Sequence, residues 1–117
     1  MMHEEKKVAK IVEELTMYFF AIGASEMSSN IERRDHQTKI TFRADYNPDY
    51  EYKLDDLEEY LREPKNEGIE DIYWELAGSG DPGETSQLLL LGMMLDKAKI
   101  KREEGSVEIV MYKGMLE

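Results

Sequence analysis

The sequence contains no cysteine. Disulfides and thiolate chemistry are excluded, and a reducing compartment is compatible with that absence. No apolar run approaches a membrane span. The longest, Leu88 to Leu95, falls far short of the ~20 residues a spanning helix needs. The opening Met1-Met2-His3-Glu4-Glu5 is too charged for a secretion signal, so a soluble cytoplasmic protein with no membrane association is expected. Histidine is scarce: His3 lies at the terminus and His36 in a polar turn, and both read as surface residues because a metal site needs more convergent ligands. No Ser–His–Asp or Cys–His arrangement has supporting context. Bases are outnumbered, 15 against 26 acids, for a net charge of −11. Such a chain repels phosphate backbones, so nucleic acid is not an expected partner.

The acids are unevenly placed. Residues 45–75 hold twelve acids and three bases. This stretch reads first as a solvated face, and second as a surface for a basic protein or a weakly held divalent cation. The 117 residues, 41% hydrophobic, suit one domain over 1–117 with a core of its own.

The order of elements is informative. Val8, Ile11, Val12, Leu15, Phe19 and Ile22 mark one face of a helix starting near Glu4, with acids at its positive end and Gly23 as a natural C-cap. Residues 26–33 predict a strand, Arg34-Asp35-His36-Gln37 a turn, and Lys39–Tyr46 a second strand. In that strand Ile40, Phe42, Ala44 and Tyr46 face one side and Lys39, Thr41, Arg43 and Asp45 the other. Asn47-Pro48-Asp49 breaks it. Leu54, Leu57 and Leu61 predict a short helix ended by Pro64. Ile69, Ile72, Tyr73 and Leu76 predict another, with Trp74 and Tyr73 as core packing or an interface anchor. Gly78-Ser79-Gly80-Asp81-Pro82-Gly83 is the strongest loop signal. Thr85 or Ser86 then caps a helix through Leu88, Leu91 and Leu95; strand is the competing reading of this run, with its length and the polar Asp96-Lys97 ending favouring helix. Ala98–Arg102 and Val107–Tyr112 form a closing hairpin around Glu103-Glu104-Gly105-Ser106. Met17, Met93 and Met94 fit gap-filling in the core at least as well as an adaptable binding surface. Two helix–hairpin units predict an α+β two-layer sandwich, with a mainly antiparallel sheet of about four strands and helices covering one face.

Two stretches carry a resemblance. Glu14 through Ala24, followed by a hairpin ending Thr41-Phe42-Arg43-Ala44-Asp45, resembles the opening of a GHKL (Bergerat-fold) ATPase. Leu91-Gly92-Met93-Met94-Leu95-Asp96-Lys97-Ala98-Lys99-Ile100, then Gly105-Ser106-Val107-Glu108-Ile109-Val110, resembles that superfamily's last helix and hairpin. The likeness is nearest to the anti-sigma-factor serine kinase branch. It spans most of the chain in order and spacing, with few diagnostic identities.

The resemblance implies a glutamate that activates the attacking group, a helix asparagine on magnesium, an aspartate reading adenine, and a glycine-rich lid on the phosphates. The glutamate position falls on Glu14 and the adenine-reading position on Asp45. The asparagine position falls on Tyr18, which is no equivalent magnesium ligand. The glycines after the aspartate fall on Asn47 and Asp49, with Pro48 between. Those at the last helix start fall on Thr85 and Gln87. Gly78, Gly80 and Gly83 remain in the lid, but Asp81 and Glu84 put negative charge where phosphate would sit.

These losses imply a bacterial regulatory or protein-binding domain that has lost ATP. Its partner is another protein or a second copy of itself, gripped through the acidic middle segment or the sheet edges. It has no catalytic residue, metal or cofactor, and Glu14, Asp45, Gly78, Gly80 and Gly83 are vestigial positions. The alternative is an ATP- and magnesium-dependent serine kinase. Each position also has a plainer reading. Glu14 is an exposed helix glutamate paired with Lys10. Asp45 ends a strand before the Asn-Pro turn. The glycine loop is a connector.

Overall fold

The computed structural model describes residues 4–61 and 95–114. The predicted helix around Ile69–Leu76 with Trp74, the Gly78–Gly83 loop, and the helix start at Thr85 or Ser86 with its stripe through Met94 lie outside the described residues. So do His3 and Pro64.

Helix α1 spans Glu4–Ala21. It ends as the sequence predicts. Gly23 takes φ +86°, its N–H donates to the Phe20 carbonyl at 3.2 Å, and the Ala24 N–H donates to the Phe19 carbonyl at 2.9 Å. This pair of bonds satisfies two carbonyls that a helix end would otherwise leave without partners. The chain then forms β1 (Met27–Arg34) and β2 (Gln37–Asp45). Their two-residue turn places Asp35 and His36 at φ 50° and 63°, the left-handed pair that matches the twist of a tight hairpin. A short 3-10 turn over Pro48–Tyr50 leads into α2 (Tyr52–Leu61). Strands β3 (Lys97–Glu103) and β4 (Ser106–Gly114) close the fold.

The four strands form one antiparallel sheet in the order β1-β2-β4-β3. The second hairpin therefore joins the first through β4, and among the described residues β1 and β3 are the edges. This is the two-layer α+β arrangement that the helix–hairpin order predicts.

Alternation decides which face is covered. Thr38, Ile40, Phe42 and Ala44 of β2 and Val107, Ile109, Met111 and Lys113 of β4 are buried. They share a core with Val8, Ile11, Leu15, Tyr18, Phe19 and Ile22 of α1 and Leu54, Leu57 and Leu61 of α2. Phe19 stacks on Phe42 with ring centroids 5.5 Å apart. Leu95 joins the same cluster, and the Asp96 N–H donates to the Tyr112 carbonyl at 2.9 Å. That bond fixes where the second hairpin begins. Met17 does not fill the core: it is 42% exposed, as is neighbouring Phe20 at 59%. Both lie on the helix face opposite the sheet.

Helix α2 is held by charge as well as by leucines. The Arg102 guanidinium, on the covered face of β3, donates to Asp55 at 2.7 Å and Glu58 at 3.2 Å and lies 3.9 Å from Glu51. The bond to Asp55 is the largest influence raising the guanidinium's pKa, against an opposing effect of burial. Arg102→Met keeps the aliphatic stem and removes the bridge. It is expected to cost about 1 kcal/mol at low salt, with the deficit shrinking in 1 M salt. Urea unfolding of both proteins at two salt concentrations measures this.

Candidate functional site

Among the described residues, the positions that the ATPase resemblance singles out lie along α1 and at or just after the end of β2, and each of these is tied into the fold.

Glu14 is fully buried, which corrects its reading as an exposed helix glutamate. The reason is register: Lys7, Ile11, Glu14 and Tyr18 follow the i, i+4, i+7, i+11 positions of one turn-by-turn stripe, and that stripe meets the core. The pairing with Lys10 is present, with Nζ 3.2 Å from Oε1 of Glu14. Lys10 also donates to Glu13 at 2.6 Å. Desolvation acts to lower the Lys10 pKa, but the bonds to Glu13 and Glu14 outweigh it and the ammonium stays charged above its ordinary value. Glu14 is thus paired within its own helix, through an ammonium that it shares with Glu13.

Tyr18, one turn on, is buried. Its hydroxyl donates to the Lys53 carbonyl at 2.7 Å, and its ring meets Phe19 edge-on at 5.7 Å. The phenol at the asparagine position works as a clamp between α1 and the first turn of α2.

Asp45 sits where β2 ends. One carboxylate oxygen accepts from the Ser25 N–H at 2.7 Å and the Glu26 N–H at 3.0 Å. The other accepts from the Ser25 hydroxyl at 2.5 Å. The bond from the Glu26 backbone is the largest influence holding this carboxyl below its ordinary pKa, followed by the Ser25 hydroxyl. Asp45 therefore fastens the α1–β1 connection. Next to it, Asn47 accepts from the Asp49 N–H at 3.0 Å and caps the 3-10 turn. The two residues at the family's glycine positions thus make a side-chain-capped turn.

Asp45 binds just beyond the end of α1, whereas Glu14 lies eight residues before Ile22, about 12 Å along the helix axis. The two carboxylates serve different joints of the scaffold. Gly78, Gly80 and Gly83 lie outside the described residues.

The Asp45 geometry has a pH consequence. A carboxyl whose folded pKa is depressed adds stability above its unfolded value and loses it as pH falls through the folded one. Wild type is therefore expected to lose melting temperature below the ordinary value of 3.8 more steeply than Asp45→Asn. At pH 6 the variant is the less stable of the two, and the gap narrows toward pH 2.5. Melting curves across that range would show parallel slopes if Asp45 did not carry this role.

His36 is exposed in its hairpin turn. Among the described residues no three His, Asp or Glu side chains converge as a metal site would require, and no helix is long and apolar enough to cross a membrane.

Two surfaces of opposite sign remain. One is the acidic side of α2. There Glu51, Asp55 and Glu58 are engaged by Arg102, while Asp49 and Glu59 are exposed. The other is the face of the sheet that no described helix covers, here called the uncovered face, which sequence reading did not single out. A shallow groove of about 430 Å³ crosses it, bordered by Ser28, Arg43, Lys101, Glu103 and Glu108. The signal for this face was present in β3, Lys97-Ala98-Lys99-Ile100-Lys101, where lysine occupies every second position.

Compared with known proteins, the chain matches no family model and shows no significant similarity to a curated protein.

Proposed function

We infer that this chain is a non-enzymatic regulatory domain that binds another protein, a second copy of itself included, on a GHKL-like scaffold that has given up its nucleotide. A bacterial cytoplasmic setting follows from the same resemblance to the anti-sigma-factor kinase branch. One observation carries the reading: Asp45, at the adenine-reading position, has both carboxylate oxygens bonded to Ser25 and Glu26. An adenine amino group would have to share this carboxylate with three bonds that hold the fold together. Tyr18 at the magnesium position is supporting, since its hydroxyl is spent on α2.

The competing reading is an ATP-dependent serine kinase, and the burial of Glu14 is what favours it, because buried carboxylates are common among catalytic bases. A ligand that binds only the folded state raises its melting temperature. Titration with ATP and magnesium to millimolar concentration is expected to leave the melting temperature unchanged. A rise that depends on both, and is lost in Glu14→Gln, would establish the kinase reading instead.

A further inference from the structure

We propose that the uncovered face of the sheet is a docking surface for an extended acidic polypeptide segment whose acids fall at every second position. This deepens the protein-binding reading and rests on it.

The face is defined by register. Ala98 pairs with Met111 and Ile100 with Ile109, so Ala98 and Ile100 share the covered side and Lys97, Lys99 and Lys101 point the other way. Tyr112 lies between Lys97 and Lys39 in one cross-strand row. Val110 lies between Lys99 and Thr41 in the next. These middle residues are half-buried and the three β3 lysines are exposed.

Of the acids on this face, Glu103 is exposed at the turn end of β3 and three others are already committed. Glu108 pairs with Arg43 at 2.5 Å, Glu32 lies 3.9 Å from Arg34, and Asp45 is bonded to Ser25 and Glu26. Lys39, Lys97, Lys99 and Lys101 have no ion-pair partner among the described residues. Against a net charge of −11, one side of one sheet thus carries four ammonium groups without an ion-pair partner among the described residues, opposite the acidic helix α2.

Spacing selects the occupant. Alternate residues of a strand repeat at about 6.7 Å, so Lys97, Lys99 and Lys101 present charge at the interval at which an extended peptide presents every second side chain. A single-stranded nucleic acid needs several aromatic platforms in succession, whereas Tyr112 is the one aromatic residue on the described face. A second copy docking its acidic α2 here would have Glu51, Asp55 and Glu58 already held by Arg102.

The test uses fluorescence anisotropy of the full chain with a labelled decapeptide of alternating Glu and Ser, in about 50 mM salt. Binding is expected, with loss at ten times that salt. The triple substitution Lys39→Gln, Lys97→Gln and Lys99→Gln is expected to weaken it about tenfold. Lys53→Gln on α2 is expected to leave it unchanged. A peptide with the same residues in two blocks, five Ser then five Glu, is expected to bind more weakly. Lys101→Gln alone serves as a second variant should the triple unfold.

Four outcomes overturn the proposal. The first is no binding of the alternating peptide, and the second is equal weakening by Lys53→Gln. The third is tighter binding of a thymidine decanucleotide. The fourth is a molar mass that rises with concentration and falls back in the triple variant, which makes a second copy the occupant. The nucleotide titration separates this inference from the reading beneath it. An absent peptide signal with no ATP effect sinks only the docking surface, while an ATP-dependent rise sinks the reading whatever the peptide does.

Discussion

Replacing Phe19 by alanine is expected to remove about 3–5 kcal/mol of stability, a large part of what a domain of this size has. Phe19 is fully buried. Its ring stacks on Phe42 of β2 at 5.5 Å and meets Tyr18 of α1 at 5.7 Å. Truncation leaves a cavity between helix and sheet that neither neighbour can fill, because Phe42 is fixed in the ladder and the Tyr18 hydroxyl is tied to Lys53. Phe19→Leu, which keeps most of the volume, should cost much less. Denaturant unfolding of the two variants distinguishes a packing role from a surface one. Equal, small losses for both would show that the α1–β2 contact does not organise the core.

Gly23→Ala is the second large effect, expected at about 1–3 kcal/mol for the backbone alone. Two separate demands meet at this residue. Its φ of +86° is one that side chains disfavour. A Cβ there would also lie 2.8 Å from the Cβ of Asn47, at the point where the Asn47 N–H donates to the Ile22 carbonyl at 3.0 Å. The end of α1 and the end of β2 approach here too closely for a second side chain. Gly23→Asn tolerates the left-handed backbone better but keeps the clash, so it should still be clearly destabilised. Combining Gly23→Ala with Asn47→Gly removes the facing Cβ and should recover part of the loss. If the double variant were no better than the sum of the singles, the close approach would not matter. Melting temperatures of these variants and of Asn47→Gly alone give the answer.

Both predictions concern the junction that also holds Asp45 and the Asn47 turn. At this junction an ATPase of the resembled family would place its base-reading groups. In this chain Asp45 bonds to Ser25 and Glu26, and Asn47 to Asp49, so both residues serve the junction between helix and sheet.

Much of the architecture was legible in the chain. Period and punctuation carried it: the 3.6-residue stripe from Val8 to Ile22, the strict alternation over Lys39–Asp45, the Gly23 stop, and the turns at Asp35-His36 and Glu104-Gly105. Strand ends moved by a residue or two, mostly outward, because cross-strand pairing continues into the polar residues beside each turn. Site residues were less legible. Glu14 looked like a surface glutamate because a carboxylate and a lysine four residues earlier usually pair in water. Its burial is set by tertiary packing, which the spacing of charges along one helix does not show.

The linear order of residues settled the local states of the backbone, the two hairpins and the separation of each β2 side chain to one face or the other, since these depend on steric preference and period within a few neighbours. Tertiary structure alone decided that β4 pairs with β2 and leaves β3 outermost, that Arg102 meets the acids of α2, that Asp45 closes onto Ser25, and that the lysines gather on one uncovered surface. Each joins groups far apart along the chain, and such contacts are set by which apolar faces can be buried together rather than by any local rule.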